Sequence, residues 1–168
     1  MRIGILGSGK VGQTLGAGFI ALGHRVMLGT RDPQAEKIRR WVEQQGDGAS
    51  AGTFADAAAF GELLVFAILG AAAETVLQQV GPAPCAGKIV IDTTNPLAVA
   101  SSGGPPTLFV GHTDSLAERI QRALPGARVV KAFNIVGYAL MVHPGLPGGP
   151  PDMFIAGDDP AARAAVTD

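Results

Sequence analysis

Three observations in this 168-residue sequence predict an α/β fold with a doubly wound, mostly parallel sheet that carries helices on both faces. Short apolar runs alternate with helical stretches almost to the end, the pattern of strand-helix-strand units. Runs such as "LLVFAIL" and "KIVID" are continuously apolar, without strict alternation, which suits strands buried on both sides. The opening "IGILGSGKVG" sets a strand, a glycine-rich turn and a helix start in direct succession.

Strands are expected at Arg2 to Leu6, Arg25 to Leu28, Ala49 to Thr53, Leu63 to Ile68, Lys88 to Asp92, Arg128 to Phe133 and Met153 to Ala156. The first helix should present Val11, Leu15, Phe19 and Leu22 as one buried stripe and stop at Gly23. Asp32 followed by Pro33 reads as an N-cap and first helical residue, opening "QAEKIRRWVEQQG". A helix through "TDSLAERIQRALPG" has Thr113 or Asp114 near its cap, and Asp158 or Asp159 with Pro160 opens a short last helix. "SSGGPPT" and "HPGLPGGPPD" read as ordered loops, because 24 glycines and 12 prolines fall short of the roughly 25–30% associated with low-complexity disorder.

Composition narrows the setting to one domain with a substantial core, 47% hydrophobic and 16% charged. No apolar run approaches the roughly 20 residues of a membrane span, and a net charge of -1 without long charged blocks gives no footprint for nucleic acid or an anionic membrane. The start lacks the pattern of a secretory signal, so a cytoplasmic protein is expected. The single Cys85 cannot form an internal disulfide, and His24, His112 and His143 lack metal-site spacing.

Gly7-Ser8-Gly9-Lys10-Val11-Gly12 fits G-x-G-x-x-G in the strand-turn-helix context of a Rossmann-type dinucleotide-binding unit. Gly7 makes the tight turn, Gly9 admits a pyrophosphate and Gly12 lets the helix pack on the strand, while the helix N-terminus offers free N–H groups. A glycine-rich turn made only for packing is the plain alternative. Lys10 does not have the spacing of a phosphate-cradling G-x-x-x-x-G-K loop and reads as solvated. The acid that grips the ribose 2′-OH in NAD-binding versions is missing, and Thr30 and Arg31 stand in its place. A hydroxyl and a guanidinium suit a 2′-phosphate, so NADP(H) is expected over NAD(H), with Asp32 assigned to the helix cap. Lys37, Arg39 and Arg40 add positive charge on a polar helix face, where solvated side chains are the usual reading.

With "MRIGILGSGKVG", "LGTRDP", "IVIDTTNPL" and "VVKAFN" together, the chain resembles the coenzyme F420-dependent NADP oxidoreductase family from Met1 to about Ala162. The resemblance implies direct hydride transfer between NADP(H) and a deazaflavin, a reaction in which the protein supplies alignment and needs no strong side-chain acid. It also implies a small-molecule hydride acceptor, coenzyme F420 as co-substrate, and further C-terminal helices that support a homodimer, which this chain is expected to lack. Carried onto matching positions, Ile68, Leu69 and Gly70 end the fourth strand, Thr93, Thr94, Asn95 and Pro96 the fifth, and Asn134, Ile135 and Val136 follow the sixth. Thr94, Asn95, Pro96, Asn134 and Ile135 are the candidates for the hydride-transfer pocket, and Ile68, Leu69, Asn95 and Asn134 for cofactor contact. A turn at Asn95-Pro96 and backbone capping by Asn134 are the structural alternatives. Two other functions stay open: reduction of a small carbonyl or imine, with Lys131, Tyr138, His112 or His143 as proton donor, and a non-catalytic NADPH-binding module.

Overall fold

The computed structural model describes residues 1–98 and 104–168. Six strands form one parallel sheet: β1 (Arg2–Leu6), β2 (Arg25–Gly29), β3 (Ala49–Gly52), β4 (Leu63–Phe66), β5 (Ile89–Asp92) and, after a small hairpin, β8 (Arg128–Lys131). The hairpin pairs β6 (Leu97–Ala98) with β7 (Thr107–Leu108) antiparallel. The order across the large sheet is β3-β2-β1-β4-β5-β8, so the chain reverses direction between β1 and β4. Ligands of such sheets lie beyond the carboxyl ends of the strands at that reversal.

Period-two burial divides the core into two layers. Leu6, Leu64, Phe66 and Val90 point to one face, where α3 (Phe54–Phe60), α4 (Ala73–Val80) and α5 (Leu116–Ala123) cover them. Ile3, Ile5, Val65 and Ile91 point to the other, beneath α1 (Lys10–Ala21), α2 (Glu36–Gln45) and α6 (Pro160–Thr167). Fully burying a side chain of this size stabilises by roughly 1.5–3 kcal/mol, so both layers contribute to holding the sheet between its helices. The layers are tight where glycine permits: a Cβ at Gly4 would lie 2.0 Å from the Ala57 carbonyl, which fixes how closely α3 sits on β1.

Several expected elements differ. Met153 to Ala156 forms no strand; only an isolated antiparallel bridge joins Ala156 to Lys131, because the chain crosses the sheet edge in place of running along it. The fourth and sixth strands stop at Phe66 and Lys131, short of Ile68 and Phe133, and Phe133 turns out of the strand with φ of 64°. The stripe on α1 ends before Leu22, which is exposed, and the buried side of the helix includes Gly12, Gly16 and Gly18. Asp32 is not an N-cap: its Oδ1 accepts the Gln34 amide at 3.0 Å in a local turn, and α2 begins only at Glu36 after Ala35. Asx turns of this kind compete with capping for the same carboxylate. The cap of α5 is Ser115, which accepts the Glu118 amide at 3.1 Å, with Asp114 directly before it as expected. Asp159 caps α6, with Pro160 as its first residue. The expected loop at 101–107 lies partly outside the described residues, and its far end contributes Thr107 to the hairpin.

Candidate dinucleotide-binding site

Beyond β1 the chain turns sharply at Gly7, whose φ of 130° is open to glycine and whose Cβ would strike the Ala67 carbonyl at 2.1 Å. The turn is anchored on both sides: the Gly7 amide donates to the Gly29 carbonyl at 3.0 Å, and Gln13 Nε2 donates to the Ser8 carbonyl at 2.9 Å. Gly12 has a packing reason too, since a Cβ there would sit 2.2 Å from the Gly7 carbonyl. Gly9 has none. A Cβ built on it meets no protein atom within 4 Å, and its backbone (φ -76°, ψ -175°) is one any residue adopts. The space above Gly9 is an open cradle over the start of α1. Gln13 donates to the Gly9 carbonyl as the first rung of that helix, so the amides of Lys10, Val11 and Gly12 precede the ladder and face the cradle as free donors. These residues fit a pyrophosphate.

At the end of β2, Thr30 is buried and Arg31 exposed. Ser8 Oγ donates to Thr30 Oγ1 at 3.0 Å, and the Thr30 amide donates to the Gly52 carbonyl, so the glycine loop and the end of β2 are held together. Thr30 and Arg31 line a recess of about 360 Å³ with Thr53, Phe54, Ala55 and Gln79. Spacing did not single out Thr53 or Gln79; Thr53 caps α3 through a reciprocal bond with Asp56, whose carboxyl those bonds hold below its usual range. Lys37, Arg39 and Arg40 do not line the recess, and Arg40 pairs with Glu36 one turn away.

The other strand ends meet beyond β4, β5 and β8. A Cβ at Gly70 would be 2.2 Å from the Asn95 carbonyl, so the loop after β4 touches the loop after β5. Asn95 Nδ2 donates to the Asn134 carbonyl at 2.9 Å, joining two of the expected pocket residues. Thr93 and Thr94 are buried; Thr93 Oγ1 donates to the Phe66 carbonyl at 2.8 Å, and Thr94 donates through both its amide and its hydroxyl to Asp92 Oδ1. Fully buried Asp92 also accepts from Lys131 Nζ at 2.9 Å, and the same ammonium donates to the Thr94 carbonyl. Pro96 leads into the hairpin, its carbonyl accepting the Phe109 amide. Ile135 is half exposed, Ile68 turns into the core and Leu69 points outward. His112 and His143 are exposed on left-handed backbone and do not join this group. A larger cleft of about 640 Å³ lies between α4 and α5 and contains none of the glycine-loop residues.

Residues 2–96 match the family model described as NADP oxidoreductase, coenzyme F420-dependent. The chain belongs to that family. Among its relatives, a candidate F420-dependent NADP-reductase from Arthrobacter sp. FB24 is 43% identical with a TM-score of 0.92, over 99% of this chain and 78% of that one. The F420-dependent NADP reductase of Methanocaldococcus jannaschii is 28% identical over all of this chain and 78% of its own length. More distant is a reductive aminase from Aspergillus terreus solved with NADPH and ethyl levulinate, at 25% identity and a TM-score of 0.67, over 99% of this chain and 51% of that one. This family member is an NADP-dependent oxidoreductase with a Rossmann-type sheet, and NADP(H) is its cofactor. No helix among the described residues is long and apolar enough to cross a membrane.

Proposed function

We propose that the chain passes a hydride between NADP(H) and a deazaflavin such as coenzyme F420, or a flavin-like ring. The pyrophosphate rests on the Gly9 cradle, and Thr30 with Arg31 takes the 2′-phosphate. The nicotinamide lies against the wall made by Thr94, Asn95, Pro96, Asn134 and Ile135, with Ile68 and Leu69 at its approach. Bound NADP(H) supplies or accepts the hydride. The protein's part is alignment, since such transfer needs the reacting atoms about 3–3.5 Å apart and no strong acid.

The observation that carries this reading is how the polar groups at the strand ends are already committed. Asn95 is bonded to Asn134, and Lys131 is held by Asp92 and the Thr94 carbonyl, so these groups stand as a fixed wall in place of a free proton donor. One observation favours a second reading, reduction of a small carbonyl or imine: the Tyr138 hydroxyl lies exposed at the phosphate loop, beside Lys10, and is a phenol able to donate a proton.

The test is an acceptor panel. NADPH is mixed with purified protein and F420, FMN, FAD, a small ketone or a cyclic imine, and nicotinamide absorbance is followed. Turnover with F420 or a flavin supports the first reading; turnover confined to the ketone or imine, abolished in Tyr138→Phe, supports the second. Tight NADPH binding without turnover of any acceptor rejects both.

A further inference from the structure

Lys10 has a partner that its place in the glycine loop does not predict. It is the first residue of α1, and its ammonium donates to the Tyr138 hydroxyl at 3.3 Å while lying 5.1 Å from the centre of that ring. None of the five ion pairs among the described residues includes Lys10. Tyr138 is delivered there by a strap. Residues 138–142 run along α1, beginning with a 3₁₀ turn at Tyr138–Leu140; Met141 and Val142 pack into the second core layer. Val142 occupies the space a side chain at Gly18 would need, with its Cγ2 at 2.8 Å from a Cβ built there. The strap is thus seated on α1 by Val142 at one end and by Tyr138 over Lys10 at the other.

We propose that Tyr138 and Lys10 form a clamp over the dinucleotide pyrophosphate, with Tyr138 a further cofactor-binding residue. This rests on the cofactor placement above. The pyrophosphate on the Lys10 and Val11 amides carries two negative charges within a side chain's length of the Lys10 ammonium. A free lysine loses much rotamer entropy when it is fixed on a ligand; Tyr138 fixes it beforehand, which makes its charge more effective there. Because Lys10 donates to the phenol oxygen, the Tyr138 O–H stays available to donate to a phosphate oxygen, so the pair offers both a charge and a directed hydrogen bond. Only Val136 and Gly137 separate the strap from Asn134 and Ile135, so the seated clamp steadies the nicotinamide wall.

The experiment compares NADPH, NADH and 2′-AMP, which has the 2′-phosphate but no 5′-phosphate, on the wild type, Lys10→Met, Tyr138→Phe and the double variant. Lys10→Met should weaken NADPH and NADH alike, about fivefold as fits a part-exposed charged contact, and leave 2′-AMP unchanged. Tyr138→Phe should weaken both dinucleotides about threefold, and the double variant should lose less than the product of the two. Unchanged thermal midpoints verify that every variant is folded. The clamp is rejected if NADPH binding holds in either single variant, if 2′-AMP weakens as much as NADPH, or if the two losses multiply. Arg31→Ala reports separately on the cofactor placement, since it should weaken NADPH and 2′-AMP but spare NADH. Failure of that pattern with the clamp effects intact overturns the 2′-phosphate assignment alone, and a wild type that binds no dinucleotide overturns both.

Discussion

Gly9 and Gly12 stand in one motif for different physical reasons, and single substitutions separate them. A Cβ at Gly12 collides with the Gly7 carbonyl, so Gly12→Ala should destabilise the fold by about 2 kcal/mol, seen as an earlier urea midpoint. A Cβ at Gly9 meets nothing, so Gly9→Val should leave the midpoint nearly unchanged while filling the cradle and weakening NADPH at least tenfold in equilibrium titration. Weak binding with an intact fold identifies a ligand site; loss of both together would mean the glycine serves only the turn. On the proposed cofactor placement, Arg31 sets coenzyme choice at the same scale. A charged hydrogen bond is worth roughly 1.5–3 kcal/mol, so Arg31→Ala should weaken NADPH about tenfold to a hundredfold and spare NADH. Equal losses would remove the 2′-phosphate assignment.

At the scale of elements, the Lys131–Asp92 pair ties the end of β8 to the end of β5. Asp92 is fully buried and keeps its satisfaction from Thr94 and Lys131, so Lys131→Met leaves a buried carboxylate short of its counter-charge and should cost about 3 kcal/mol. Adding Asp92→Asn should recover most of that loss in chemical denaturation; no recovery would show that packing of the lysine stem, not charge, matters. The start of α5 is set by a second charged group. Arg122 and then Arg119 hold the Asp114 carboxyl down at about 2. Its unfolded value is near 3.9, so the folded form is the stronger acid. This network's stabilisation is present above about pH 4 and is lost as pH falls toward 2. Asp114→Asn should therefore be modestly less stable at neutral pH and show a shallower fall in urea midpoint across that window; an unchanged acid limb would contradict the network's role.

For the whole molecule, what the sequence discloses depends on distance along the chain. Five of the six parallel strands were legible as short apolar runs, whereas β3, Ala-Ser-Ala-Gly, carries little apolar signal; the glycine loop was legible because its spacing is mechanical. The hairpin of β6 and β7 was not, since two-residue strands leave no periodicity, and Met153 to Ala156 looked like a strand by composition although its backbone only crosses an edge. Asp32 misled because an Asx turn and a helix cap use the same residue in the same local setting. The candidate pocket residues could be placed at strand ends by order alone. Their partners could not: Lys131 finds Asp92 across 39 positions and Lys10 finds Tyr138 across 128, and only the completed sheet brings these together.

The crossing at Ala156 has a further consequence. β8 is the last strand of the sheet, and beyond it lies a row of backbone groups open to a neighbouring molecule. The Lys131 and Ala156 amides and carbonyls satisfy one another there, and Gly157 follows so closely that a Cβ would lie 2.7 Å from the Val129 carbonyl. That segment therefore acts as a cover against edge-to-edge aggregation. Gly157→Val should lift it from β8, and light scattering during gentle heating should rise at lower temperature than for the wild type; unchanged scattering would mean that the edge is protected by other means.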